Sequence, residues 1–269
     1  MRLLAFDLDD TLLDPHGQVP EATVTVLEEL RRAGWLVAVI TARWHFPAVL
    51  EARLRPEAVA TSNGAAIEVR GQRLVRHTLP RTAAQAILDA CPAEANIKAF
   101  SAEKRFGDVS YSTPERPVFS LTEAREAELV KLRVAHEAAP SLRAQFQNTP
   151  GLSISGGEGQ RYAGKVSFTP EAAHKGEALR TIAQALGIPL GDCVAFGDSD
   201  SDLPMLRLAG LGVQVGDEAC LRDVRGHQVC CAVRGMPQFL RALALGGLPL
   251  RPPPREGSRK AAPCPRPLR

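Results

Sequence analysis

Residues 3–8 read Leu-Leu-Ala-Phe-Asp-Leu, a short apolar run that closes on acid, and Asp9, Asp10 and Thr11 follow at once. So short and continuous an apolar run suits a strand buried on both faces, as in a parallel sheet, rather than a half-solvated one. A parallel sheet requires crossover connections, and the chain supplies them. Pro20 to Gly34 carries Val26, Leu27 and Leu30 at helical spacing and stops at Gly34. Leu36–Ile40 is a second continuous apolar strand, Thr41-Ala42-Arg43 opens a helical segment to about Leu54, and Val59–Thr61 is a third strand. Strand, helix, strand, helix, strand with short links predicts a parallel sheet with right-handed crossovers.

The alternation breaks after Ala65. Short strands are expected at 66–69, 74–77, 96–101, 142–147, 152–155 and 166–168, with helices over 82–90 and 122–138 among them. This mixture reads as a second α+β domain inserted into the first. The parallel pattern resumes at His174 with a helix to Leu186, a strand at 193–196, a helix at 202–208, a strand at 212–215 and a last helix at 236–245. The expected fold is therefore α/β: a Rossmann-like parallel-sheet core over 1–64 and 173–249, interrupted by an α+β insert over 65–172. Residues 250–269, rich in Pro and Arg with little to bury, read as a disordered tail.

Composition narrows the function classes. The formal charge of +3 is unevenly placed, because residues 250–269 hold five Arg, one Lys and one Glu and leave the remainder slightly acidic. A nucleic-acid partner is not expected from such a body. None of the six cysteines forms a C-x-x-C pair, and the histidines have no ligand spacing, so a zinc site is not expected. Reduced thiols, the absence of a signal-type leader and the absence of a membrane-length apolar stretch predict a soluble cytoplasmic protein.

Two acidic clusters carry the chemistry. Asp7 and Asp9 stand two apart at the carboxyl end of the first strand, so both leave it on one side, where ligands bind in open α/β sheets. Converging carboxylates repel unless a cation lies between them, an arrangement that suits one as nucleophile and the other as proton carrier. The second cluster, Gly197-Asp198-Ser199-Asp200-Ser201-Asp202, also follows an apolar strand. It is not an EF-hand, since Leu203 and Ala209 occupy the positions that would need Gly and Glu. Two such clusters at the ends of parallel strands can share Mg²⁺. Thr41 offers a hydroxyl at a predicted helix start, a place that favours phosphate. Lys175 opens another helix, where the macrodipole disfavours a cation, so a functional demand such as holding a phosphate is expected there.

Asp7-x-Asp9-x-Thr11, Thr41, Lys175 and Gly197-Asp198-x-x-x-Asp202 resemble, in order and spacing, the phosphatases of the haloacid dehalogenase (HAD) superfamily. Ser62-Asn63-Gly64-Ala65, the long insert and His174-Lys175-Gly176-Glu177 resemble its Cof-type subfamily, whose insert is a C2 (type IIB) α/β cap. The resemblance covers residues 1 to about 245. It implies Asp7 as nucleophile, Asp9 as general acid and base, and phosphate binding by Thr41, Ala42, Asn63 and Lys175. It implies Mg²⁺ held by Asp7, the Asp9 backbone carbonyl, Asp198 and Asp202. Ser201 departs from the subfamily, which has Asn there, so a changed surrounding of the metal site is expected rather than a changed reaction.

The expected function is Mg²⁺-dependent hydrolysis of small phosphorylated metabolites such as sugar phosphates through a phosphoaspartate, in a monomer or homodimer. Narrower readings are phosphatases of sucrose phosphate or mannosyl-3-phosphoglycerate. A phosphohexomutase of the same fold is the nearest different reaction. A non-catalytic binding protein is disfavoured by the retained cluster of charge. Gly156-Gly157-Glu158-Gly159 is expected as a hairpin loop rather than a phosphate loop, and Lys98, Arg105, Arg161, Tyr162 and Lys165 could meet a sugar or a carboxylate but are read as solvated surface.

Overall fold

The computed structural model describes residues 1–101, 103–113, 117–156, 164–216, 226–229 and 235–246. The first sheet contains β1 (Arg2–Phe6), β2 (Trp35–Ile40), β3 (Ala58–Thr61), β4 (Ala66–Val69), β5 (Gln72–Arg76), β12 (Cys193–Gly197), β13 (Leu211–Val215) and β14 (Gly226–Val229). Its order is β14-β13-β12-β1-β2-β3-β4-β5, with β4 and β5 antiparallel and the rest parallel. The expected parallel core is thus present, and alternation along each strand feeds two apolar layers. Leu4, Phe6, Val37, Val39 and Phe196 pack towards α1 (Glu21–Arg32) and α8 (Gly235–Ala244). Leu3, Ala5, Ala38, Ile40 and Ala195 pack towards α6 (Lys175–Ala185) and α7 (Leu203–Leu208).

The second sheet runs β10-β11-β9-β6-β7-β8. These strands are β6 (Asn96–Phe100), β7 (Arg105–Phe106), β8 (Val118–Phe119), β9 (Lys131–Ala135), β10 (Leu152–Gly156) and β11 (Lys165–Pro170). One face packs on α3 (Arg81–Ala90), α4 (Leu121–Ala124) and α5 (Ala139–Phe146) through Ile87, Leu132, Val134, Leu142 and Phe168. β4 pairs onto β3 and β5 onto β4 in the first sheet, so we propose that the cap begins after Arg76 rather than at residue 65.

The short strands β7, β8 and β14 are not among the expected elements, and three expected elements take another form, each for a physical reason. The helix expected from Thr41 is confined to α2 (Ala48–Leu54), because Pro47 fixes its start and residues 41–47 run as an irregular loop. The helix expected over 122–138 is a single turn, opened by a Ser120–Glu123 capping box and ending at Ala124. The chain then forms β9, where Leu132 and Val134 alternate into the cap core. The strand expected at 142–147 lies largely within α5, whose Ala139, Leu142 and Phe146 are buried at helical spacing. The hairpin loop expected at 156–159 begins at Gly156, the last residue of β10, and β11 follows antiparallel; residues 157–159 and the tail lie outside the described residues.

Candidate active site

β1 is flanked by β2 on one side and β12 on the other, so successive connections leave in opposite directions there. This is the switch point of a doubly wound sheet, where loops at the carboxyl ends of adjacent strands diverge and open a crevice. Asp7 continues the β1 ladder by donating its N–H to the Phe196 carbonyl at 3.0 Å. Asp198 follows Gly197 at the end of β12. The two acidic clusters therefore meet because their strands are neighbours.

After Asp7 the chain turns sharply. The Leu8 carbonyl accepts N–H bonds from Thr11, Leu12 and Leu13, and Asp10 sits at φ 60°. The turn brings the Thr11 hydroxyl to Asp198, donating to its Oδ1 at 2.9 Å.

Lys175 enters the same space from the first turn of α6 and is 1% exposed. Its ammonium lies 2.7 Å from Asp7 Oδ1 and 2.5 Å from Asp202 Oδ1. The local anomaly of a cation at a helix start is explained by these two carboxylates. α6 approaches closely because Gly176 has no side chain: a Cβ there would lie 2.9 Å from Pro204 Cβ. Gly197 is constrained in the same way, since a Cβ there would run into Asp202 Cβ.

Asp202 is fully buried and its acceptors are committed. Oδ1 takes Lys175, while Oδ2 takes the N–H groups of Asp198 and Ser199 at 3.1 and 2.9 Å and the Ser199 hydroxyl at 2.8 Å. Ser201, at the departure from the subfamily pattern, lies with its hydroxyl 3.0 Å from that of Ser199. Carboxylate oxygens of Asp7, Asp198 and Asp202 fall within 4.8 Å of one another, a hard oxygen set of the kind Mg²⁺ takes. Asp7 and Asp198 each keep an oxygen with no protein donor among the described residues, whereas Asp202 is occupied on both. By their free oxygens Asp7 and Asp198 could take an ion more readily than Asp202, whose oxygens are committed to Lys175, the Ser199 hydroxyl and two backbone N–H groups.

Burial pushes the Asp7 carboxyl up to about 8; Lys175 opposes this, and Asp202 and Asp198 add to it. Asp198 is pushed up to about 6, first by burial and then by Asp202, against the Thr11 hydrogen bond. Burial lowers the Lys175 ammonium, but Asp202 and Asp7 outweigh it and hold the group above the usual lysine range. Three buried carboxyl groups facing one ammonium could take one further cation, which would favour their ionised forms.

Asp9 stands apart. It is half-exposed, and Arg43 engages both of its carboxylate oxygens at 3.0 and 2.6 Å. Thr41 is fully buried; its hydroxyl accepts the Arg43 N–H at 3.1 Å, and its own N–H is spent on the Ala60 carbonyl. It therefore stands at the start of a loop rather than at the helix start expected of it. Ala42 and Asn63 line the cavity with Asp7, Asp9 and Lys175. Ser62, Asn63 and Gly64 all have positive φ, and the Asn63 side-chain oxygen is buried with no protein partner. The cavity, about 840 Å³, extends from these residues to the cap strands β9, β10 and β11. Trp44 stacks on Phe100 of the cap at 5.2 Å, and Lys131 of the cap donates to the Ala42 carbonyl at 2.7 Å. Arg43, Ser199 and Lys131 carried no signal in the sequence, since each acquires its role from a partner at least three and up to 89 positions away.

A family model described as haloacid dehalogenase-like hydrolase matches residues 4–219. The chain belongs to the haloacid dehalogenase-like hydrolases. Among curated relatives, an HMP-PP phosphatase of Serratia proteamaculans is 29% identical over 244 residues, covering 80% of this chain and 84% of that protein. Phosphatase YwpJ of Bacillus subtilis is also 29% identical, over 81% of this chain and 90% of its own. The solved structure of a HAD subclass IIB sugar phosphatase, BT4131, superposes with a TM-score of 0.76 at 19% identity, covering 91% of this chain and all of that one. The expected superfamily, capped α/β fold and enzyme class, a phosphatase, are borne out. Among the described residues no helix is long and apolar enough to cross a membrane.

Proposed function

We propose that this HAD phosphatase is Mg²⁺-dependent, acts in the cytoplasm on small phosphorylated metabolites and carries the phosphoryl group on Asp7. The observation that carries this reading is the buried Asp7–Lys175–Asp202 chain beside Asp198 at the switch point. Asp7 and Asp198 would hold the ion, with the Asp9 backbone carbonyl as the third protein ligand the family pattern implies. Bound Mg²⁺ would neutralise charge on the transferring group and draw Asp7 into its ionised form.

In the first step an Asp7 carboxylate oxygen attacks phosphorus and the bond to the leaving oxygen breaks. Asp9, as general acid, gives a proton to that oxygen. In the second step Asp9 accepts a proton from water as the water oxygen attacks phosphorus, and the Asp7–phosphorus bond breaks. Because Arg43 holds both Asp9 oxygens, proton transfer through Asp9 requires that pair to open. Lys175 offers charge to a phosphoryl oxygen and keeps Asp7 in place. Relatives named HMP-PP phosphatase and the sugar phosphatase of the same fold support a phosphorylated metabolite as substrate. Phosphate release from p-nitrophenyl phosphate, with Mg²⁺ and with EDTA, tests the reading. Turnover that needs Mg²⁺ is expected, and turnover indifferent to EDTA would refute the metal dependence.

A further inference from the structure

Strand alternation gives the cap sheet a face whose charge the chemistry at Asp7 does not require. Leu132 and Val134 of β9 lie in the cap core, so Lys131 and Arg133 stand on the other face. Neighbouring strands extend that face in register. Lys98 of β6 lies opposite Arg133, and Arg105 of β7 opposite Phe100, itself opposite Lys131. On the far side, Ser167 of β11 lies opposite Arg133 and Lys165 opposite Ala135.

No acidic residue occupies a paired position on this face among the described residues. Like charges directly across a ladder, as at Lys98 and Arg133, destabilise a sheet. Neither those two nor Arg105 nor Lys165 has a carboxylate partner among the described residues, and the Arg105 Nε is buried without any hydrogen-bond partner. The crowding is felt electrostatically. Lys98 is lowered by burial and then by Arg105, Arg133 and Lys165, and Lys131 is lowered to about 8 by burial and then by Arg133 and Lys175. Ordinary surface lysines and arginines point into water. Here Lys131, Arg133 and Lys165 line the cavity that also holds Asp7 and Lys175.

We infer that this cap face is a second anion site, and that the protein selects phosphate esters whose leaving portion carries a further phosphate or carboxylate, seated on Arg133 and Lys165. The assignment rests on the phosphatase reading for which end of the ligand lies at Asp7. A second anionic group would pair charges that otherwise repel, and Arg133 can meet a phosphate or carboxylate through two parallel N–H bonds.

The test is calorimetric binding to the full chain in Mg²⁺ of alkylphosphonates of graded length ending in hydroxyl, carboxylate or a second phosphonate. The anion-ended ligands are expected to bind at least about tenfold more tightly than the hydroxyl-ended ligand of equal length, with the advantage shrinking as salt is added. Arg133→Met and Lys165→Met should each remove most of that advantage, while Arg133→Lys keeps part of it. The better of the carboxylate and phosphonate arms identifies the group preferred. Equal affinity for neutral and charged ends, an advantage untouched in both Met variants, or no binding by any phosphonate overturns the inference. Binding is read without turnover, so an inactive protein that prefers charged ends sinks the phosphatase reading alone. An active one without the preference sinks only the second site.

Discussion

Asp202 offers the sharpest stability test, because one buried carboxylate serves four donors. Asp202→Ala removes the acceptor of the Lys175 ammonium, two backbone N–H groups and the Ser199 hydroxyl, all within 2.5–3.1 Å. A buried donor left unsatisfied costs ~1–3 kcal/mol, more when charged, and some of the four will find water in the space vacated. The expected loss is about 4–6 kcal/mol, a large share of the ~5–15 kcal/mol that holds a domain together. Urea denaturation followed by far-ultraviolet circular dichroism, in EDTA so that metal binding does not mask the effect, reads the loss as a fall in midpoint at constant slope. Asp202→Asn, which keeps one acceptor oxygen, should lose less. A cost below ~1 kcal/mol for Asp202→Ala would refute the view that this carboxylate organises the site.

Other substitutions separate the roles further. Asp198→Asn should abolish Mg²⁺ binding by calorimetry. Arg43→Met should change stability by no more than ~1 kcal/mol, as for other exposed pairs, yet alter kcat for p-nitrophenyl phosphate severalfold by releasing Asp9. Gly197→Ala should cost ~1–3 kcal/mol or more in denaturation midpoint, because its methyl group would meet Asp202. Lys131 titrates near 8 in the fold and near 10.5 unfolded, so between those values the unfolded chain binds more protons and stability rises with pH. The native protein should therefore gain on Lys131→Met from pH 8 to 10.5 and hold a constant difference below 8; a pH-independent difference would contradict the shift.

The core was legible because its signals are local. Continuous apolar strands, helical spacing at Val26, Leu27 and Leu30, and acid at two strand ends all point to one architecture, and they do so before any contact is known. The cap was less legible because its elements are short and answer to tertiary partners. Residues 131–135 look helical beside Glu-rich neighbours, and only pairing with β6 and β11 makes their alternation decisive. The same holds in the site. Asp7, Lys175, Asp198 and Asp202 are brought together as their motifs suggested, whereas Thr41 is buried under a loop rather than opening a helix. Arg43 and the cap cations, in contrast, acquire meaning only when the cavity joins two sheets.

The most direct test of the central claim is Mg²⁺-supported phosphate release from p-nitrophenyl phosphate by the native protein and by Asp7→Asn, with circular dichroism to establish that the variant folds. If Asp7 carries the phosphoryl group, the folded variant should lose at least ~10³-fold in kcat, as removal of a covalent nucleophile does. A folded Asp7→Asn protein within tenfold of the native rate would contradict the account.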